Sequence, residues 1–276
     1  MKIKMLLLVM APVLMALTNS CTSTTLWQLE SPDQSIRVTI RQVEEKSGTR
    51  LYYSILINGD EGYEQIMDQS PLGVVGEKSR FVENLEYVSE EKQQNISDSY
   101  VLTTGKKLQI SSSYNESSIS FRNKEQKEIA LVFRAYNHGI AFTYRFIGDA
   151  DEELKIVQEE TGFDFKEGNF WGHPYDTLTT YTPAYETYYQ GLEVGSTAPW
   201  NKNGWAFPIL VESEGVWMMV SEAGFDGNYG ASHLHADCDE GLYRIKFAEP
   251  GEAEGYYENS SVSTVSYTHL RAHETA

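Results

Sequence analysis

Cysteine is scarce in this chain: Cys21 and Cys238 are the only two among 276 residues. A scaffold stapled by several disulfides is therefore excluded. Basic residues are also few, 22 Lys and Arg against 40 Asp and Glu, which leaves a formal net charge of −18. Nucleic acid is excluded as a partner, because neutralising phosphates requires clustered Lys and Arg. Metal cations or neutral ligands suit such a surface, and most of its carboxylates act as a solubilising coat. Long apolar runs are absent except at Met5–Leu17, which is too short to cross a bilayer as a mature helix. Amphipathic helical periodicity, internal repeats and low-complexity linkers are missing from residues 27–260. What remains is 41% hydrophobic and 12% aromatic, a globular composition sufficient for one large all-β domain.

The N-terminus has the form of an export signal. Lys2 and Lys4 precede the apolar run, which closes in LTNSC. That ending resembles a bacterial lipoprotein signal, in which Cys21 becomes the lipidated first residue; Asn19 departs from the strict motif. Residues 1–20 are read as the signal peptide and 21–26 as a polar tether. With Cys21 acylated, Cys238 has no intrachain partner. Stable membrane attachment then requires more than one acyl chain, since one alone anchors weakly. The expected location is periplasmic or on the outer membrane.

From Trp27 onward strand patterns dominate. IRVTIRQV (36–43) alternates apolar and polar residues, and LYYSILING (51–59) follows after a Ser-Gly turn. SISFRN, IALVFRAYNHG, IAFTYRFIGD, FPILVES, VWMMVSEA and LYRIKFAE continue the series, several closed by Gly or Asn. Short strands at hairpin spacing predict a large antiparallel β-sandwich in one domain over residues 27–264. Residues 164–206 break the pattern and are expected to form a long loop, dense in Tyr, Trp and Pro. Such loops are commonly functional, and aromatic faces pack against sugar rings; the same rings also suit covering a sheet or an interface.

VFRAYNHGIAFTYRF (132–146) resembles the signature of the N-terminal domain of glycoside hydrolase family 97, a strand running through an Asn-Asp-Gly turn into an aromatic-rich strand. SPDQSIRVTI (31–40), SPLGV (70–74) and VWMMVSEAGFDGNYGASHL (216–234) are similar to three further segments of that domain, in the same order. His138 replaces the turn's usual Asp, so no carboxylate role transfers, and it is expected to face solvent. Asn137 and Gly139 are expected to supply the positive φ of a tight hairpin. The resemblance implies a galactose-mutarotase-like supersandwich followed by a (β/α)8 barrel and a small β domain. It implies an exo-acting α-glycosidase, acting on an α-linked oligosaccharide or galactoside with calcium at the site. A sandwich loop gives a Glu to that calcium, and order in TTYTPAYETYY places it at Glu186. Trp200 and Trp205, in APWNKNGW, line either the sugar cleft or the barrel interface.

Other candidates have plainer readings. His233 and His235 share a strand face, with Asp237 and Cys238 following, but lack a second ligand cluster for a transition metal. Glu212 and Glu222 sit near strand ends and are read as sandwich residues, because in the family the catalytic carboxylates belong to the barrel. No alternating βα pattern appears, and a barrel takes about 250 residues, so the family's barrel is expected to be absent here. The residues from Val265 to Thr275 are similar to one reading frame of a transposase-adapter oligonucleotide used in DNA library preparation. Residues 265–276 are therefore read as a non-native tail, and the sandwich is expected to lack its last strand. On this reading the chain is the non-catalytic N-terminal part of a longer glycosidase. The alternative is a stand-alone carbohydrate-binding lipoprotein without catalysis.

Overall fold

The computed structural model describes residues 23–148, 155–175, 188–199, 204–224, 232–247 and 267–273. The first sheet is a meander of β1 (Ser23–Glu30), β2 (Ile36–Glu45), β3 (Gly48–Gly59) and β4 (Gly62–Pro71) in that order. Two short strands, β5 (Val74–Gly76) and β6 (Arg80–Phe81), lead to β7 (Glu86–Glu90), β8 (Gln94–Val101), β9 (Gln109–Arg122), β10 (Glu128–Tyr136) and β11 (Gly139–Ile147). After β12 (Ile156–Glu159) come β13 (Gly162–Asp164), β14 (Asn169–Pro174), β15 (Gln190–Glu193), β16 (Trp205–Ser213), β17 (Val216–Glu222), β18 (Ser232–Leu234), β19 (Leu242–Phe247) and β20 (Tyr267–His273). The main path of the large sheet runs β13-β19-β18-β16-β17-β20-β11-β10-β9-β7, with β8, β14 and β15 paired at its margins, while β12, β5 and β6 form a small third sheet. Every strand pairing is antiparallel, and among the described residues the helical element is a 3-10 turn at Asp239–Gly241. The all-β expectation holds.

Alternation explains the layering. Along β2, Ile36, Val38 and Ile40 turn inward; along β10, Ile129, Leu131, Phe133 and Ala135 do the same. The first sheet thus lies face to face on the β9–β11 part of the large sheet. An aromatic seam fills the interface, with Trp27 5.3 Å from Phe133 and Tyr53 5.2 Å from Phe142 between ring centroids. Each large side chain fully buried here contributes roughly 1.5–3 kcal/mol of hydrophobic free energy. Buried hydroxyls cross-tie the layers: Tyr53 donates to the Gly162 carbonyl at 2.9 Å, and Tyr144 accepts the Gly73 N–H at 2.9 Å.

Two expectations meet a different arrangement. The long loop predicted over 164–206 is interrupted by β14 and β15, which pair Asn169 with Glu193 and Phe170 with Leu192. Aromatic and glycine density hid the period of NFWGHP, in which Phe170 is buried and Trp171 points the other way. At the β10–β11 turn, Asn137, His138 and Gly139 are not among the positive-φ residues. The β1–β2 turn holds that hairpin instead: the Asp33 N–H donates to Asn137 Oδ1 at 3.3 Å, and Ser35 Oγ donates to the Asn137 carbonyl at 3.0 Å. His138 is exposed, as expected. Residues 267–273 form β20, which pairs with β11 on one side and β17 on the other.

Candidate functional site

Several strands terminate together at one end of the large sheet. Pro174 closes β14 opposite Trp205, which opens β16; Trp205 also pairs with Leu234, the last residue of β18. Residues 176–187 follow β14 in the chain and residues 200–203 precede β16. Glu186 and Trp200 fall on these two segments and lie outside the described residues, as does Cys21.

The roots of these segments are tied to one another. The Tyr175 N–H donates to the Gly204 carbonyl at 2.9 Å, joining the chain on either side. The ring of Tyr175 lies flat on His233, 3.8 Å between centroids with planes 3° apart. Glu222 accepts the Ser232 N–H at 3.2 Å and the Ser232 hydroxyl, so one carboxylate closes the ends of 223–231. His173 meets Tyr189 edge to face at 5.7 Å.

Trp205 does not serve as a sugar platform. Its ring is fully buried, edge-on to Phe170 at 4.8 Å, and its Nε1 finds no hydrogen-bond partner among the described residues. The reason is strand phase: Trp205 shares a face with Ile209 and Val211, which point into the core. His233 and His235 do not share a strand face, because β18 ends at Leu234 and His235 lies beyond it. His235 is exposed, its Nδ1 accepting the Asp237 N–H at 2.9 Å, whereas His233 is buried with neither ring nitrogen hydrogen-bonded among the described residues. Burial first, then the charge of Lys246 and His235, push the His233 pKa down to about 3, so its ring is neutral at physiological pH. Cys238 is buried, its thiol donating to the Ser196 carbonyl at 3.1 Å.

Glu212 and Glu222 are not a catalytic pair. Glu212 accepts from Asn169 Nδ2 at 2.8 Å and from the Gly215 N–H at 3.1 Å. It stands opposite Trp217, five residues along β17 from Glu222, which is roughly 17 Å at strand rise. Among the described residues, no group of three or more His, Cys, Asp and Glu side chains is placed to hold a metal ion. The described residues form a braced frame where β14 and β17 end and β16 and β18 begin. The Tyr175–His233 stack and the Glu222–Ser232 bridge escape sequence reading because only long-range strand register brings them together.

Comparison with known proteins places this frame. Residues 29–267 match the family described as Glycosyl-hydrolase 97 N-terminal. No protein of curated function matches the sequence. The fold is similar to a crystal structure of a β-arabinopyranosidase, with a TM-score of 0.75 and 21% identity over 90% of this chain and 40% of that one. It is also similar to a glycoside hydrolase family 97 enzyme from Pseudoalteromonas sp. strain K8, solved with acarbose (TM-score 0.67, 18% identity, 90% of this chain and 36% of that one) and with panose (0.68, 17%, 90% and 36%). The chain thus spans at most 40% of the length of these structures.

Proposed function

The chain belongs to the glycosyl-hydrolase 97 N-terminal family, and from that premise we propose that it is the non-catalytic N-terminal sandwich of an exo-acting α-glycosidase. The observation that carries this reading is the family match over residues 29–267, joined to the much greater length of the structures sharing the fold. The substrate class is an α-linked oligosaccharide or an α-galactoside, in keeping with the acarbose and panose held by the Pseudoalteromonas enzyme. The catalytic carboxylates belong to a barrel outside this chain. The sandwich provides the rigid sheet end from which the segment bearing Glu186 leaves, and Glu186 gives one oxygen to a calcium ion whose remaining ligands lie beyond the described residues. Trp200 borders the sugar site or the barrel. Export as a lipoprotein through Cys21 brings the enzyme to periplasmic or outer-membrane substrate.

Nitrophenyl α-glucoside and α-galactoside separate the parts. The 276-residue chain is expected to hydrolyse neither, with or without calcium, whereas the complete protein hydrolyses at least one. Glu186→Gln in the complete protein is expected to lower calcium affinity and activity together, by roughly tenfold or more. Turnover by the isolated chain overturns the division of labour, and unchanged calcium binding in Glu186→Gln removes Glu186 from the metal.

A further inference from the structure

The large sheet has an apolar outer face where β14, β16 and β17 run side by side. Phe170, Val211, Met218 and Val220 point into the core. Their neighbours Trp171, Leu210, Trp217 and Met219 therefore point away from it, and each remains partly exposed. Trp171 and Trp217 stack at 5.0 Å, and Leu210 stands in register with both Trp171 and Met219. Tyr189, 50% exposed, continues the patch over Pro208, whose carbonyl accepts its hydroxyl at 3.4 Å. An aromatic and aliphatic row on the outside of a sheet is what a second layer covers.

We propose that this outer face is the docking surface for the remainder of the longer enzyme, an inference that rests on the reading of the chain as its N-terminal part. Two observations select that occupant. The structures sharing this fold devote at least 60% of their length to chain outside the matched part (100% less the 40% covered), so a large covering body is at hand. A second copy is disfavoured, because each chain carries a net charge of −18 and like-charged surfaces repel. A sugar is a poor occupant, since Trp171 and Trp217 each turn one ring face to the other.

The test introduces Trp217→Lys together with Met219→Lys into the complete protein and, as a control, into the 276-residue chain. In the complete protein the single calorimetric transition is expected to split in two, and proteolysis between the parts to quicken roughly tenfold. In the control the Tm is expected to stay within about 3 °C. Met219→Gln, which leaves the tryptophan pair intact, repeats the test if the double variant fails to fold. An unaltered melt and unaltered proteolysis of a folded variant overturn the proposal. So does sedimentation showing the 276-residue chain as a dimer that the substitutions dissociate, because that gives the face to a second copy. Hydrolysis of α-glycosides is assayed in parallel on the unsubstituted complete protein. Its absence beside a split melt removes the glycosidase reading and leaves the docking surface standing; its presence beside an unaltered melt removes the docking surface alone.

Discussion

Two titratable side chains make the sandwich sensitive to pH in opposite senses. His233 is neutral in the folded state, its pKa pushed down to about 3 by burial and then by Lys246 and His235. The unfolded chain takes up a proton at this residue below about pH 6.5 that the native state refuses, so stability is lost as pH falls from that point toward 3. His233→Phe keeps a ring on Tyr175 and removes the titration. Its melting temperature is expected to fall less steeply between pH 6.5 and 4 than that of the parent chain, a difference on the order of 3 kcal/mol at the acid end. Parallel curves would show that His233 takes no part. Asp164 works the other way: burial first, then the Asp68 carboxylate, raise its pKa to about 6 against the pull of Lys166. Here the native state holds a proton that the unfolded state releases, so stability falls as pH rises from about 4 through 6. Asp164→Asn is expected to stabilise the protein at pH 7 by ~1 kcal/mol, allowing for solvent screening at a half-buried site, and to change nothing at pH 3.5. Urea midpoints at the two pH values check this, and an equal gain at both would place the cause elsewhere.

At the scale of elements, the alternating strands were the readable part of the sequence. IRVTIRQV and IALVFRAY became β2 and β10 with their apolar residues inward, as period-two patterning requires. β14 was not readable, because Trp171 and Phe170 are both aromatic and only their neighbours decide which faces the core. At the β10–β11 turn the sequence suggests a positive φ that the backbone does not adopt, and contacts from the distant β1–β2 turn hold the hairpin. Gly204 marks another such junction. It has φ of +107°, its carbonyl accepts the Tyr175 N–H, and a Cβ built there would stand 1.8 Å from the Leu234 carbonyl oxygen. Gly204→Ala therefore forces the start of β16 away from β18 in addition to straining the backbone, at a cost of about 3 kcal/mol or more. Denaturant unfolding measures it, and a loss under about 1 kcal/mol would mean the two strands separate without penalty.

Across the whole molecule, family resemblance carried what patterning alone could not. Periodicity leads to an antiparallel β-sandwich; ordered segments such as 31–40 and 132–146 lead to its family. The candidate site is the least readable part, since Trp200 and Trp205 flank the same four residues, 201–204, yet strand phase sends Trp205 into the core. Register was unreadable at YTHLRAH, which has no apolar–polar period but lies between β11 and β17, pairing Leu270 with both Ile140 and Val220. Such two-sided pairing is made by backbone N–H and C=O groups, so it depends little on which side chains the strand carries. Removing residues 265–276 leaves facing flanks of β11 and β17 open in the middle of the large sheet, and open edges recruit other chains. The chain ending at Thr264 is expected to associate with rising concentration in sedimentation velocity and to melt roughly 5 °C or more lower. Replacing Tyr267–His273 with a strand of alternating Thr and Val is expected to restore the monomer, because the slot selects backbone. A monomeric Thr264 chain with an unchanged melt would mean the two halves of the sheet close without a strand between them, and failure of the Thr/Val replacement would mean the slot reads side chains after all.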